Sequence, residues 1–129
     1  METIVAIVVL AIAVPPMLWS IRQAQYDRAN PVLASRARWL AVSMLEDVIA
    51  DRHSATRGYD HLVTGNYPDE PTITGYTGFS RRVLLSETLA DLATPGDGYM
   101  AVTVEVSWTD AGGTTRTLAV STVLTEYVQ

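Results

Sequence analysis

The chain begins with a long uninterrupted run of hydrophobic residues. From Thr3 to Ile21 no side chain is charged, and only Thr3 and Ser20 carry a polar group. A helix over this run would be about 28 Å long, close to the ~30 Å hydrocarbon thickness of a bilayer. The pattern predicts a membrane-spanning helix, which includes Ile4, Val8, Ala11, Pro15, Pro16 and Trp19.

Prolines interrupt the helical pattern at two places. Pro15 and Pro16 remove two backbone donors, which predicts a kink or a loosened turn within the hydrophobic helix. Asn30 and Pro31 form a suitable N-cap and first-turn pair for a new segment. A residue before proline also resists the helical conformation. The chain is therefore expected either to break near Asn30 or to bend there and continue.

An amphipathic pattern extends from Pro31 to about His53. Its hydrophobic residues recur at spacings of three and four, which is the period of one helix face: Leu33, Ala37, Leu40, Ala41, Met44, Leu45, Val48 and Ile49. Most charged residues lie off this stripe, and Trp39 lies beside it, where it could close the edge. The stripe predicts that Leu40, Met44, Leu45 and Val48 pack against the rest of the domain.

The remainder of the chain reads as a loop followed by strands. Glycine and proline are so frequent in residues 54–78 that this segment is predicted to wrap the surface or to hold one short strand. Strands are predicted over Phe79–Leu85, Tyr99–Trp108 and Thr117–Tyr127, joined by a hairpin loop after Asp110. Residues 86–93 fit either a helical turn or a loop.

Alternation within the last two strands indicates one hydrophobic face. Val102, Val104 and Val106 share that face in the first, and Leu118 and Val120 share it in the second. We therefore predict an α+β fold, in which a long kinked N-terminal helix packs on a small antiparallel sheet. Residues 1–28 would form the hydrophobic helix, and residues 29–129 would form the α+β domain with its helix at 31–53, loop at 54–78 and strands within 79–128.

Composition narrows the possible functions. Fourteen acidic residues outnumber nine basic ones, giving a net charge of −5. No basic cluster is present, so nucleic-acid binding is not expected. The absence of cysteine excludes disulfides and thiolate metal sites.

Candidate catalytic and metal-binding residues are few. His53 ends the amphipathic helix and His61 lies in the loop, and both are expected to be solvated. Four loop acids could ligate Ca²⁺ but lack the dense spacing of a calcium loop: Asp60, Asp69, Glu70 and Asp97. No nucleophile elbow or phosphate-binding glycine loop occurs. We predict neither an enzyme nor a cofactor site.

The hydrophobic run could also be read as a secretory signal. Ala11-Ile12-Ala13 resembles a cleavage site, but no basic region precedes the run and the run continues past it. A retained helix is therefore preferred. Arg22 and Arg28 follow the helix and Glu2 precedes it, which by the positive-inside rule places the N-terminus outside. A basic leader upstream of Met1 would reverse that orientation.

Glu2 borders the hydrophobic run, where an acid either rests among lipid headgroups or pairs with a cation of another subunit. The sequence Glu2-Thr-Ile-Val-Ala-Ile-Val-Val-Leu-Ala-Ile-Ala13 resembles the N-terminal helix of type IV pilins and type II secretion pseudopilins. The segment from Arg38 to Glu46 is similar to minor pseudopilins of the I type and minor pilins of the V type.

The resemblance implies a structural subunit of a filament. In that family a prepilin peptidase removes a basic leader ending in glycine, and the new N-terminus is methylated. By this resemblance, Met1 would fall about three residues into the mature chain, downstream of the leader. An acid at the position of Glu2 pairs there with the terminal amine of a neighbouring subunit. Expected partners are other pilin-like subunits, the bacterial inner membrane and its assembly platform, with the C-terminal domain periplasmic or extracytoplasmic. The alternative is a single-pass anchored binding domain that does not polymerise.

Overall fold

The computed structural model describes residues 2–127, with side chains from residue 3 onward. A long helix, α1 (Glu2–His53), is followed by two short 3₁₀ helices, Tyr59–His61 and Thr64–Asn66. Three strands complete the described chain: β1 (Phe79–Thr88), β2 (Tyr99–Thr109) and β3 (Thr115–Thr125). The predicted α+β fold, with a long N-terminal helix on a small antiparallel sheet, is confirmed.

Helix α1 is continuous through Pro15, Pro16 and Pro31. Of the two outcomes expected near Asn30, the chain takes the one in which the helix continues. The side chain of Asn30 does not cap a new helix, because its Oδ1 accepts a hydrogen bond from the distant backbone N–H of Ala111 at 3.0 Å. A proline removes one bond from the helical ladder and leaves the neighbouring bonds in place. A kink at these prolines stays a prediction.

The sheet has the order β1-β2-β3, and both pairings are antiparallel. Val104 lies opposite Val83 on one side and Val120 on the other, which fixes the register of all three strands. Strand β1 runs to Thr88, beyond the predicted end at Leu85, because its last residue still pairs with Tyr99. Residues 86–93, for which the sequence fitted either a helical turn or a loop, therefore begin as strand and continue as a turn.

The core lies between the second half of α1 and one face of the sheet. The nine residues expected at this contact all belong to the same hydrophobic cluster. Six of them are buried and three are half-buried: Leu40, Leu45, Val48, Val102, Val104 and Val106, then Met44, Leu118 and Val120. Trp39 does not close the edge of the core, since 58% of it is exposed.

The segment between α1 and β1 wraps the domain and contributes to its core. It contains the two 3₁₀ turns and isolated backbone bridges, rather than a regular strand. Leu62, Tyr67 and Ile73 are buried in the cluster formed by α1 and the sheet. The expectation of a surface-wrapping segment thus holds, while its contribution of core residues was not predicted.

Candidate assembly surface

The first half of α1 projects from the domain with its hydrophobic side chains uncovered. Every described side chain from Thr3 to Arg28 is exposed, and Trp19 near the end of the hydrophobic run is 70% exposed. An 18-residue window of the helix has a mean hydropathy of 2.5, and none of it is buried. By length and composition this helix could cross a membrane. Its surface is available to lipid or to another protein.

The predicted membrane-helix residues lie along this projecting segment. The side chains of six residues are exposed there: Ile4, Val8, Ala11, Pro15, Pro16 and Trp19. Helix α1 begins at Glu2, but the side chain of Glu2 lies outside the described residues. Its predicted role in assembly therefore stays a prediction.

Hydrogen bonds fix α1 to the domain just beyond the projecting half. Arg81 on β1 donates from Nη1 to the carbonyl of Leu40 at 3.1 Å, and its Nη2 lies 2.7 Å from the Glu70 carboxylate. Near the start of the buried half, Asn30 accepts from Ala111 in the β2–β3 hairpin. Because α1 is one continuous helix, its exposed half is attached to the domain through the same hydrogen bonds.

Asp110 organises the hairpin that contacts Asn30. Its carboxylate accepts hydrogen bonds from the backbone N–H of Gly112 and Thr114, each at 2.9 Å, and from Nε of Arg116 at 2.9 Å. The backbone bond from Thr114 and the bond from Arg116 hold the pKa of the Asp110 carboxyl below its usual range. The side chain is only 6% exposed, so the hairpin is closed around a charged, fully bonded carboxylate.

A second carboxylate, Asp51, organises the C-terminal end of α1. It accepts hydrogen bonds from Arg57 at 2.5 Å and from the hydroxyl of Tyr67 at 2.9 Å. Burial raises the pKa of Asp51, but these two hydrogen bonds outweigh it, so the pKa lies below the ordinary 3.8. Nε2 of His61 lies 3.8 Å from the same carboxylate. Asp51 and His61 therefore join the helix end to the wrapping segment.

Arg52 attaches the last residues of the described chain to the same helix end. Its guanidinium donates to the carbonyls of Thr125 at 2.6 Å and Glu126 at 3.1 Å. The group also lies 5.9 Å from the centre of the Tyr59 ring, in cation–π geometry. This contact holds the end of β3 against α1.

The loop residues considered for chemistry do not converge. Among the described side chains, those of residues 3–127, no group of three or more His, Asp or Glu could hold a metal ion. Glu70 is paired with Arg81, and His53 is exposed at the helix end. A cleft of about 360 Å³ beside Glu70 also contains Arg82 and Glu105, and these two charges pair with each other at 2.6 Å. The cleft therefore contains ion pairs in which the two charges neutralise each other.

An open hydrophobic groove runs beside the exposed side of the buried half-helix. Its volume is about 650 Å³, and its walls come from α1 and one residue of the wrapping segment. The ring of Trp39 lies 5.7 Å from that of Tyr76, and Arg36 borders the groove. The groove extends the exposed apolar surface of α1 beyond its projecting half.

Comparisons with protein-family models, with curated proteins and with solved structures gave no match.

The polar contacts that attach α1 to the rest of the domain were not predicted from the sequence. Asp110 carried a local signal, because an aspartate two residues before a glycine pair is typical of a side-chain-bonded turn. The long-range partners of Asp51 and Arg81 carried none, since those partners lie 16 and 41 residues away in the chain.

Proposed function

We propose that this chain is a structural, minor pilin-like or pseudopilin subunit of a type IV pilus or type II secretion filament. Its N-terminal helix inserts in the bacterial inner membrane before assembly and packs among the helices of neighbouring subunits afterwards. The α+β domain lies on the periplasmic or extracytoplasmic side. Neither catalysis nor a cofactor is part of this role.

One observation carries the proposal. A single continuous helix, α1, serves as the core helix of a folded domain and also projects from it with an exposed apolar surface. Covering that surface would contribute roughly 25 cal/mol per Å², so it favours lipid or other apolar helices over water. A helix fixed to its domain by Arg81 and Asn30 also transmits the position of the domain to whatever binds the projecting half.

The residues at the two ends of the apolar segment suit this role. Trp19 and Arg22 lie where an amphipathic ring and a long basic side chain favour the lipid–water interface. Glu2 at the other end needs a cationic partner once water is excluded, and the terminal amine of a neighbouring subunit supplies one. Pilin-like subunits and the assembly platform are the proposed partners, with a prepilin peptidase where a leader precedes Met1.

Substitution of Glu2 by alanine separates assembly from membrane insertion. We expect Glu2→Ala to enter the membrane normally, because removing an acid does not reduce the hydrophobicity of the span. It should lose incorporation into filaments, measured as chain recovered in sheared filament fractions. Glu46→Ala, which removes an exposed acid from the domain half of the same helix, is the matched control and should assemble.

Two results would contradict the proposal. Normal filament incorporation of Glu2→Ala would remove the assembly role of that acid. Stable insertion of the parent chain with no recovery in any filament fraction would instead support the anchored binding domain that does not polymerise.

A further inference from the structure

The two edges of the sheet are protected to different degrees. At the β1 edge, Glu70 and Arg81 exchange backbone hydrogen bonds of 2.8 and 2.9 Å. Farther along, the N–H of Gly96 donates to the carbonyl of Glu87 at 3.3 Å. The segments before and after β1 therefore fold back over this edge and occupy part of its hydrogen-bonding capacity.

The β3 edge is open. Within residues 2–127, backbone hydrogen bonds of Thr115–Leu124 are confined to the pairing with β2. From Thr117 to Thr125 the strand contains no charge, proline or glycine. Soluble proteins usually protect an edge strand with such residues, with a bulge or with a covering segment. A stretch of edge strand from Thr117 to Thr125 without any of these is a template for another strand.

Burial also decreases toward this edge. Val102, Val104 and Val106 on the central strand are 0% exposed, whereas Leu118 and Val120 on β3 are only half-buried. The β3 side of the hydrophobic face is thus covered less completely than its centre. A fourth strand with apolar residues on its inner face would cover Leu118 and Val120.

We propose that β3 binds an extended segment of a different polypeptide as a fourth, antiparallel strand. Charge at the two ends of β3 defines the partner: Glu126 is exposed just after the end, and Arg116 at the start keeps 60% of its side chain exposed while its Nε donates to Asp110. An antiparallel partner therefore carries a basic residue at its N-terminal end, opposite Glu126, and an acidic residue at its C-terminal end. Between them it alternates apolar residues with small polar ones, matching the two faces of β3.

A second copy of this chain fits the edge less well. Addition of β3 to β1 of another copy is obstructed by the segments that cover β1. Antiparallel pairing of two β3 strands would also bring Arg116 of each copy near Glu126 of the other. The two copies would then be related by a two-fold axis normal to the sheet, so their α1 helices would point in opposite directions. Two chains anchored in one membrane cannot adopt this arrangement. This step alone rests on the proposed membrane anchoring.

Binding of a designed peptide to the purified full chain in detergent micelles tests the inference. The probe is a fluorescent peptide with arginine first, alternating valine and threonine, and glutamate last. The control peptide has the arginine and the glutamate exchanged. We expect saturable binding of the probe, about fivefold tighter than the control, mainly because the exposed charge pair with Glu126 changes sign. Fluorescence anisotropy gives both dissociation constants.

Proline substitutions show whether binding occurs at the edge. In β3, the N–H groups of adjacent residues point in opposite directions, one toward β2 and the next toward the open edge. Of the two variants Ser121→Pro and Thr122→Pro, one therefore loses a hydrogen bond to β2, and the other removes an N–H from the open edge only. The variant that keeps the parent melting temperature is the edge variant, and we expect it to bind the probe about tenfold more weakly. Leu84→Lys, on the exposed face of β1, should bind the probe like the parent.

Several results would overturn the inference: no saturable binding, equal binding of both peptides, or unchanged binding to the edge variant. A parent dimer seen by light scattering and lost in the edge variant would make a second copy the occupant. Because these measurements need no filament, failed peptide binding leaves the Glu2 result intact, and failed filament incorporation leaves the peptide result intact.

Discussion

At the scale of single residues, a few polar side chains hold the domain together. Asp51, Asp110 and Arg81 each join segments that are separated in the chain or stabilise a turn. In the side chains that the structure describes, from residue 3 to residue 127, no buried nitrogen or oxygen lacks a hydrogen-bond partner. An unpaired buried polar group is costly, so removing one partner of these contacts should destabilise the fold more than the net value of the bond suggests.

The lowered pKa of Asp51 gives the fold a specific acid sensitivity. Between the folded pKa and the ordinary 3.8, the unfolded chain binds more protons than the folded chain. Stability from Asp51 is therefore present above 3.8 and is lost as the pH falls through the folded pKa. Asp51→Asn should show a smaller drop in melting temperature between about pH 5 and pH 2 than the parent.

Calorimetry of the full chain in a mild detergent across this pH range measures the effect. A residual acid dependence should remain in Asp51→Asn, because the pKa of Asp110 is also lowered. Asp47→Asn, which changes an exposed carboxylate one turn earlier, is the matched control and should follow the parent profile. An identical acid profile in the parent and Asp51→Asn would contradict the assignment.

At the scale of elements, α1 has two different environments along its length. Its first half is exposed, whereas its second half buries Ala37, Leu40 and Val48 against the sheet. Of the two halves of α1, only the second therefore contributes to the stability of the domain. Substitutions in the two halves should separate stability from membrane association.

Leu40→Ala tests the contribution of the buried half. Leu40 is 2% exposed, and its truncation leaves a cavity between α1 and the sheet. We expect the free energy of unfolding to fall by about 2–5 kcal/mol. Val32→Ala, at an exposed position of the same helix, should change it by no more than about 0.5 kcal/mol. Urea denaturation in mild detergent, followed by tryptophan fluorescence, measures both, and equal losses would contradict the placement of the core.

The sequence predicted those elements whose signal is local and periodic. Alternation in β2 identified its buried valines, and the spacing of three and four identified Leu40 and Val48 on α1. Asn30 was a misleading N-cap candidate, because its actual partner, Ala111, is 81 residues away in the chain. Leu62, Tyr67 and Ile73 are isolated hydrophobic residues among turns, so no period marked them as core.

The candidate site was predictable only in part. The hydrophobic run identified the projecting helix, since its length and composition need no tertiary information. The open edge of β3 was not predictable, because strand order decides which strand lies outermost and the covering of β1 comes from distant segments.

At the scale of the whole molecule, a small α+β domain is attached to one end of an exposed hydrophobic helix. The two parts meet at Asn30, where the helix is bonded to the β2–β3 hairpin. The proposed filament role requires that the exposed half contact other protein helices after assembly. An anchor that does not polymerise requires contact with lipid only.

Photo-crosslinking from the projecting helix distinguishes these two situations most directly. A photoreactive residue replaces Ile12, which is 71% exposed, in cells that produce the filament system. We predict protein adducts, heavier than the 14.1 kDa chain by the mass of one or more pilin-like subunits, that disappear when assembly is blocked. A photoreactive residue at the exposed Leu84 of β1 reports background collisions. Lipid adducts alone at Ile12, with the assembly system present and active, would contradict the account.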